Sequence, residues 1–168
     1  ERLETYARAG KMIRGILVRL GYELCAEAAP AAAMDVVLDR AGAAMEFLQA
    51  GLLIHDDIMD RDVLRRGQTT VHAQYERDAT DAQAADPAHH GVSLGVCAGD
   101  VAFFLGFHAL AALPVPPAFR PRAQRVAAFA AQELCWVGVA QMQDVRNGGG
   151  GIGSHPDPAQ ILRVYRYK

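Results

Sequence analysis

The densest group of chemistry-bearing side chains in the sequence is Asp56, Asp57 and Asp60, in the run Gly51-Leu-Leu-Ile-His-Asp-Asp-Ile-Met-Asp60. On a helix, Asp56 and Asp60 stand at i and i+4, so both carboxylates leave one face about one turn apart. No Lys or Arg lies between 41 and 60 to relieve their repulsion locally. A hard cation would relieve it. Mg²⁺ takes oxygen ligands, keeps several waters, and bridges one or two carboxylates to a substrate phosphate. The apolar run Gly51–Ile54 puts the cluster at the mouth of an apolar cavity. The other reading is a solvated acidic turn paired with nearby arginines.

Three further groups bear on that choice. Arg65 and Arg66, followed by Gly67, lie just beyond Asp60 and point in different directions, so they can hold two different anions. Arginine suits bidentate phosphate recognition. Lys11 and Arg14 are i and i+3, hence expected on one helix face opposite an apolar stripe. Gln141 and Asp144 repeat that spacing on an apolar helix containing Trp136. A buried Gln/Asp pair must be hydrogen-bonded or face a polar cavity. Together the groups imply carboxylates, metal and cations converging on diphosphates beside an apolar helical tunnel.

The elements that must position these residues are helical. The chain has 168 residues, 51% apolar and 21% charged, with a net charge of −2. That is enough for one domain with a core. It excludes overall disorder and the basic excess of a general nucleic-acid binder. Alanine is abundant and no alternating β-branched run occurs, so the expected fold class is all-α. Helices are expected over residues 10–28, from Pro30 to about Asp60, briefly over 71–75, over 122–146, and from 158 onward after the Asp157-Pro158 cap signal. Residues 78–90 read as a polar loop, and 147–154, with its four glycines, as a flexible one. Residues 91–113 are apolar enough to span a membrane, but Asp100, His108 and four glycines favour a buried core helix and no membrane span. Cys25, Cys97 and Cys135 form neither a disulfide framework nor a CxxC site, which fits a reducing, cytoplasmic location.

The segment from Gln49 to His72 resembles the first aspartate-rich region of the trans-isoprenyl diphosphate synthases, the polyprenyl synthetases. DDxxD followed at this distance by Arg-Arg-Gly is the specific part. Gly10-Lys11 with Arg14 resembles the family's GK…R element, Ala98-Gly99-Asp100 its AGD, Gln141…Asp144 its GQxxD, and Val164 to Lys168 the approach to its lysine motif. The resemblance implies a helical bundle around a central cavity, and an Mg²⁺-dependent prenyltransferase joining isopentenyl diphosphate to an allylic diphosphate. It implies that Asp56 and Asp60, supported by Asp57 and with Asp144 beside them, serve the metal. Arg65 would contact the allylic diphosphate. Lys11, Arg14, Gln49 and Arg66 would hold isopentenyl diphosphate. Lys168 would draw charge off the leaving group, and Gln141 would lie near the forming cation. A homodimer is implied as well.

Departures from the family pattern are Gly15 where proline is frequent, Met12 where a base is common, and Ala140 for the glycine of GQxxD. The second aspartate-rich motif is absent. With no initial methionine and a helix cut at Lys168, the expectation is a single, incomplete synthase domain over 1–168 that does not turn over by itself. Gly51 and Leu52, not aromatic, lean toward a linear product of C20 or longer, such as geranylgeranyl diphosphate. On that reading Gly51→Phe should shorten the product. A class I terpene cyclase is the rival enzyme, although two sets of cations exceed what one diphosphate needs. A non-catalytic subunit of a heteromeric synthase is the rival of another class. His55 is expected to pack or support rather than ligate, and Trp136, Phe103 and Phe104 to be core or interface.

Overall fold

The computed structural model describes residues 1–27, 29–148 and 157–167. The chain falls into two units, Glu1–Phe119 and Arg120–Lys168. In the first, α1 (Arg2–Arg8), α2 (Ile13–Cys25) and α3 (Ala32–Met59) precede a two-residue hairpin, β1 (Leu64–Arg65) and β2 (Gln68–Thr69). Then come α4 (Val71–Asp81), α5 (Pro87–Ala111) and a short 3₁₀ turn at Pro117–Phe119. The all-α expectation holds, with α1 an element the periodicity did not reveal.

The core lies where α5 crosses α3 and α4. Leu38, Ala44, Leu48, Ala50 and Ile54 of α3 are buried, as are Ala102 and Leu110 of α5. The α5 contact face is built from small residues, with Gly91, Gly95, Gly99 and Gly106 all buried. They permit close approach: a Cβ on Gly106 would stand 2.7 Å from the Leu48 side chain, and one on Gly99 2.5 Å from the His55 ring. By length and composition α5 could cross a membrane. In this fold its glycine face is committed to α3 and α4.

Gly51 belongs to the same contact. A Cβ there would lie 2.8 Å from the Phe103 ring and 3.0 Å from the Gly99 carbonyl. Gly51→Phe would therefore disrupt the α3–α5 crossing, and it does not report on tunnel depth as the sequence reading supposed.

Two boundaries differ from expectation. Residues 78–90 are not one loop: α4 continues to Asp81 and α5 begins at Pro87. Asp86 caps α5 by accepting the His89 N–H at 3.0 Å, and Pro87 takes the first helical position, where its missing N–H costs nothing. The apolar stripe of α2, with Ile13, Ile16, Leu17, Leu20 and Leu24, is exposed. α2 meets α3 through its other side, where a Cβ on Gly42 would stand 3.1 Å from Gly15 Cα. Arg19 adds ion pairs to Asp35 at 2.8 Å and Asp39 at 2.9 Å.

In the second unit, α6 (Arg120–Gly148) and α7 (Pro158–Tyr167) pack together. Trp136 stacks on Tyr167 with centroids 5.4 Å apart, and Ala140 and Val164 are buried. Asp157 caps α7 as predicted, accepting the Ala159 N–H at 3.1 Å. The loop expected over 147–154 lies outside the described residues from 149 onward.

Gly99→Ala should lower stability by about 1–3 kcal/mol, the usual cost of overpacking. Gly21 of α2 has open space where a Cβ would go, so Gly21→Ala should raise stability by about 0.5–1 kcal/mol. Urea unfolding of the two variants checks both signs.

Candidate active site

The last turn of α3 carries the acidic residues. Asp60 N–H donates to the Asp56 carbonyl at 2.8 Å, so the two residues hold the i, i+4 relation that puts their side chains on one face. The helix ends in a Schellman motif: Asp62 N–H reaches the Asp57 carbonyl at 2.8 Å and Arg61 N–H the Ile58 carbonyl at 3.2 Å. Arg61 takes the left-handed position with φ 58°, a place usually held by glycine. This reversal sends the chain back toward α3.

The hairpin completes the return. Arg65 pairs with Gln68, leaving Arg66 and Gly67 as a two-residue turn with φ of 54° and 78°. Positive φ at both positions is the type I′ pattern that matches strand twist. Gly67 adopts it without strain, whereas Arg66 carries a Cβ through a region that side chains avoid.

Arg65 returns beside the acids. Its Nε donates to Asp57 Oδ1, and its Nη2 lies 3.4 Å from Asp56 Oδ2 and 3.8 Å from Asp62 Oδ2. Asp57 is fully buried. Its second oxygen accepts the Tyr6 phenol O–H at 2.9 Å. Burial pushes the Asp57 carboxyl above the usual carboxylate range, against the pull of its Arg65 and Tyr6 bonds. The Tyr6 phenol is raised by burial first and then by its bond to Asp57, so it stays a donor. For Arg65 burial works to lower the pKa, but the Asp57 bond and charge outweigh it and the net shift is upward.

Arg65 also lines a cleft of about 120 Å³. Its lining includes Tyr6, Lys11, Arg14, Gln49, Arg65 and Arg66. Five residues selected from the sequence, drawn from a loop, two helices and the hairpin, therefore meet in one place. One geometric expectation fails. Lys11 precedes α2, whose first residue is Ile13, and Met12 at the cap has φ 51°. Lys11 and Arg14 thus reach the cleft from a loop and a first helical turn, not from one helix face.

Glu46 also lines the cleft and accepts the Gly15 N–H at 2.8 Å, which satisfies one orphan donor at the start of α2. Neither Glu46 nor Tyr6 was singled out from sequence. Tyr6 carried no signal because α1 was not foreseen, and Glu46 has a remote partner, which local spacing does not report.

His55 does what its position suggested. Its ring stacks on Phe103 at 5.4 Å, with Nδ1 3.0 Å from the Gly51 carbonyl and Nε2 3.4 Å from Asp100. The Ala98-Gly99-Asp100 element is thus the floor under this ring. Gln141 and Asp144 lie on α6 in the second unit. Lys168 lies outside the described residues. Among the described residues, no three His, Cys, Asp or Glu side chains converge as a metal cage. Asp56 and Asp60 do offer hard oxygen donors one turn apart. That suits a cation whose other ligands are water and phosphate.

Arg65→Gln should cost about 3 kcal/mol at neutral pH, because it leaves the buried Asp57 carboxylate without its cation. The sign with pH follows from the raised Asp57 pKa. Without Arg65, which holds that pKa down, the variant's Asp57 takes up its proton at higher pH than the wild type's, so the deficit should shrink as pH falls through the carboxylate range and grow as pH rises. Urea unfolding of wild type and variant across that range measures the gap.

The polyprenyl synthetase family model matches residues 1–152. The geranylgeranyl diphosphate synthase of Sulfolobus acidocaldarius is 42% identical over 78 residues, 44% of this chain and 19% of that protein. A probable farnesyl diphosphate synthase of Sinorhizobium fredii is 31% identical over 134 residues, 79% of this chain and 34% of that protein. In fold, the chain is similar to the geranylgeranyl pyrophosphate synthetase of the archaeon Geoglobus acetivorans, with a TM-score of 0.71 at 23% identity over 98% of this chain and 47% of that one. The chain thus spans less than half the length of each of these proteins. The breadth of the family match places it: the chain belongs to the polyprenyl synthetase family.

Proposed function

We propose that the protein containing this chain condenses isopentenyl diphosphate with an allylic diphosphate to give a linear prenyl diphosphate. The observation that carries the proposal is the position of Arg65. It pairs with Asp56 and Asp57 at the acidic end of α3 and also lines the cleft formed by Lys11, Arg14, Gln49 and Arg66. Two adjoining anion sites suit a reaction with two diphosphate substrates. A terpene cyclase, with one, has no use for the second.

In this reading Arg65 holds the allylic diphosphate and the four cleft residues hold isopentenyl diphosphate. Asp56 and Asp60 would hold Mg²⁺, with Asp57 behind them, and by the family resemblance Asp144, Gln141 and Lys168 serve the same reaction. When bound, Mg²⁺ neutralises diphosphate oxygens and stabilises the leaving anion. Arg65 adds a fixed cation to the same developing charge. As the allylic C–O bond breaks, its electron pair leaves with diphosphate. The alkene of isopentenyl diphosphate then forms the new C–C bond, and a proton passes to the departed diphosphate as a new alkene forms. No side-chain nucleophile is needed.

A product of C20 or longer is the finer proposal. Geranylgeranyl synthases stand among the relatives beside farnesyl synthases, so product analysis decides it; Gly51, whose lack of a side chain serves packing, does not support it. A homodimer is proposed from the family resemblance and is checked by sedimentation.

Incubation of the full polypeptide with both diphosphates and Mg²⁺ should release inorganic diphosphate and a linear product. Arg66→Ala should raise KM for isopentenyl diphosphate by about tenfold or more, with kcat little changed. A cyclised hydrocarbon, or turnover seen only as activation of another subunit, would overturn the proposal.

A further inference from the structure

The Tyr6 phenol lines the cation cleft and also touches the acid behind it. α1 has no buried residue of its own. Its polar anchors include Tyr6 to Asp57 at 2.9 Å, and Arg2, which pairs with Asp78 and lies over the Tyr75 ring at 4.6 Å. The first reaches the candidate site and the second does not.

A buried carboxylate with a single partner can rotate about its last bond, since that torsion is broad. Asp57 has a partner on each oxygen, Tyr6 on Oδ2 and Arg65 on Oδ1. With both filled, the plane of the carboxylate is set, and with it the direction from which Arg65 Nε must approach. Arg65 is a planar fork, so fixing Nε also fixes where its Nη atoms point. One of them lies 3.4 Å from Asp56 Oδ2, at the acidic end of α3.

We propose that Tyr6 is a positioning residue: through Asp57 it orients the Arg65 guanidinium for the diphosphate bound between the acids and the cleft. The chain of contact is Tyr6 O–H to Asp57 Oδ2, then Asp57 Oδ1 to Arg65 Nε. Tyr6 itself need not touch substrate. The ligand class is a diphosphate, and this part rests on the function proposed above. The orientation of Arg65 does not rest on it.

The test compares Tyr6→Phe, which removes only the hydroxyl, with Arg2→Gln, which releases the other anchor of α1. The ¹⁵N-labelled chain reports Arg65 directly through its Nε–H resonance. In Tyr6→Phe, solvent exchange of that proton should accelerate by about tenfold, and calorimetric affinity for inorganic diphosphate in Mg²⁺ should fall about fivefold, the scale of one lost hydrogen bond. Arg2→Gln should change neither by more than about twofold, since exposed pairs carry little energy. Unchanged Arg65 exchange in Tyr6→Phe, or equal changes in both variants, would overturn the proposal; the second result would reduce Tyr6 to an anchor for α1. If wild type binds no diphosphate yet Arg65 exchange still accelerates in Tyr6→Phe, the positioning stands and the diphosphate reading falls.

Discussion

One buried carboxylate organises the first unit. Asp57 has no solvent exposure, and a charge there is tolerated only with partners. Those partners come from opposite directions in the chain: Tyr6 precedes it by 51 residues and Arg65 follows it by 8. Satisfying Asp57 thus closes α1 over the end of α3 and folds the hairpin back on the same spot. The left-handed Arg61 and Arg66 are local costs of that return. The bonds at Asp57 offset them.

This division of labour changes how DDxxD is read. From spacing alone the three aspartates look equivalent apart from their helix angle. Burial separates them. Asp57 points inward and spends both oxygens on protein partners, whereas Asp60 is exposed and Asp56 is half-buried. A metal bridging to phosphate needs oxygens that solvent and substrate can reach. The outer pair meets that requirement, while the inner residue holds Arg65 beside them.

Much of the site was legible because its residues are charged in an apolar setting, where composition leaves few interpretations. Asp56, Arg65, Arg66, Lys11 and Arg14 could all be named from type and spacing, and Gln49 from the family resemblance. Their convergence could not, since it depends on two Schellman-type and I′ reversals in which arginine stands where glycine or asparagine is usual. The fold class was legible from alanine content and helical periodicity. The exposed α2 stripe marks a limit of that signal: periodicity says that a helix has an apolar face, not that the face is covered. The Asp86-Pro87 cap shows the reverse case, a start signal with the same chemistry as Asp157-Pro158 that lay inside a stretch read as polar loop.

Gly15 draws these strands together. By resemblance it is a departure, glycine where proline is frequent, with no charge lost. In the structure its N–H donates to Glu46, and its Cα lies close against Gly42 of α3. Proline has no N–H to offer, so it would forfeit the bond to Glu46. The substitution and Glu46 therefore make one device, fastening the start of α2 to α3 by a side-chain cap and a close backbone approach. That junction sets where α2 begins, and so where Arg14 projects and how Lys11 arrives from the preceding loop. A residue with no side chain thus helps define the cation cleft by fixing the elements that carry its charges.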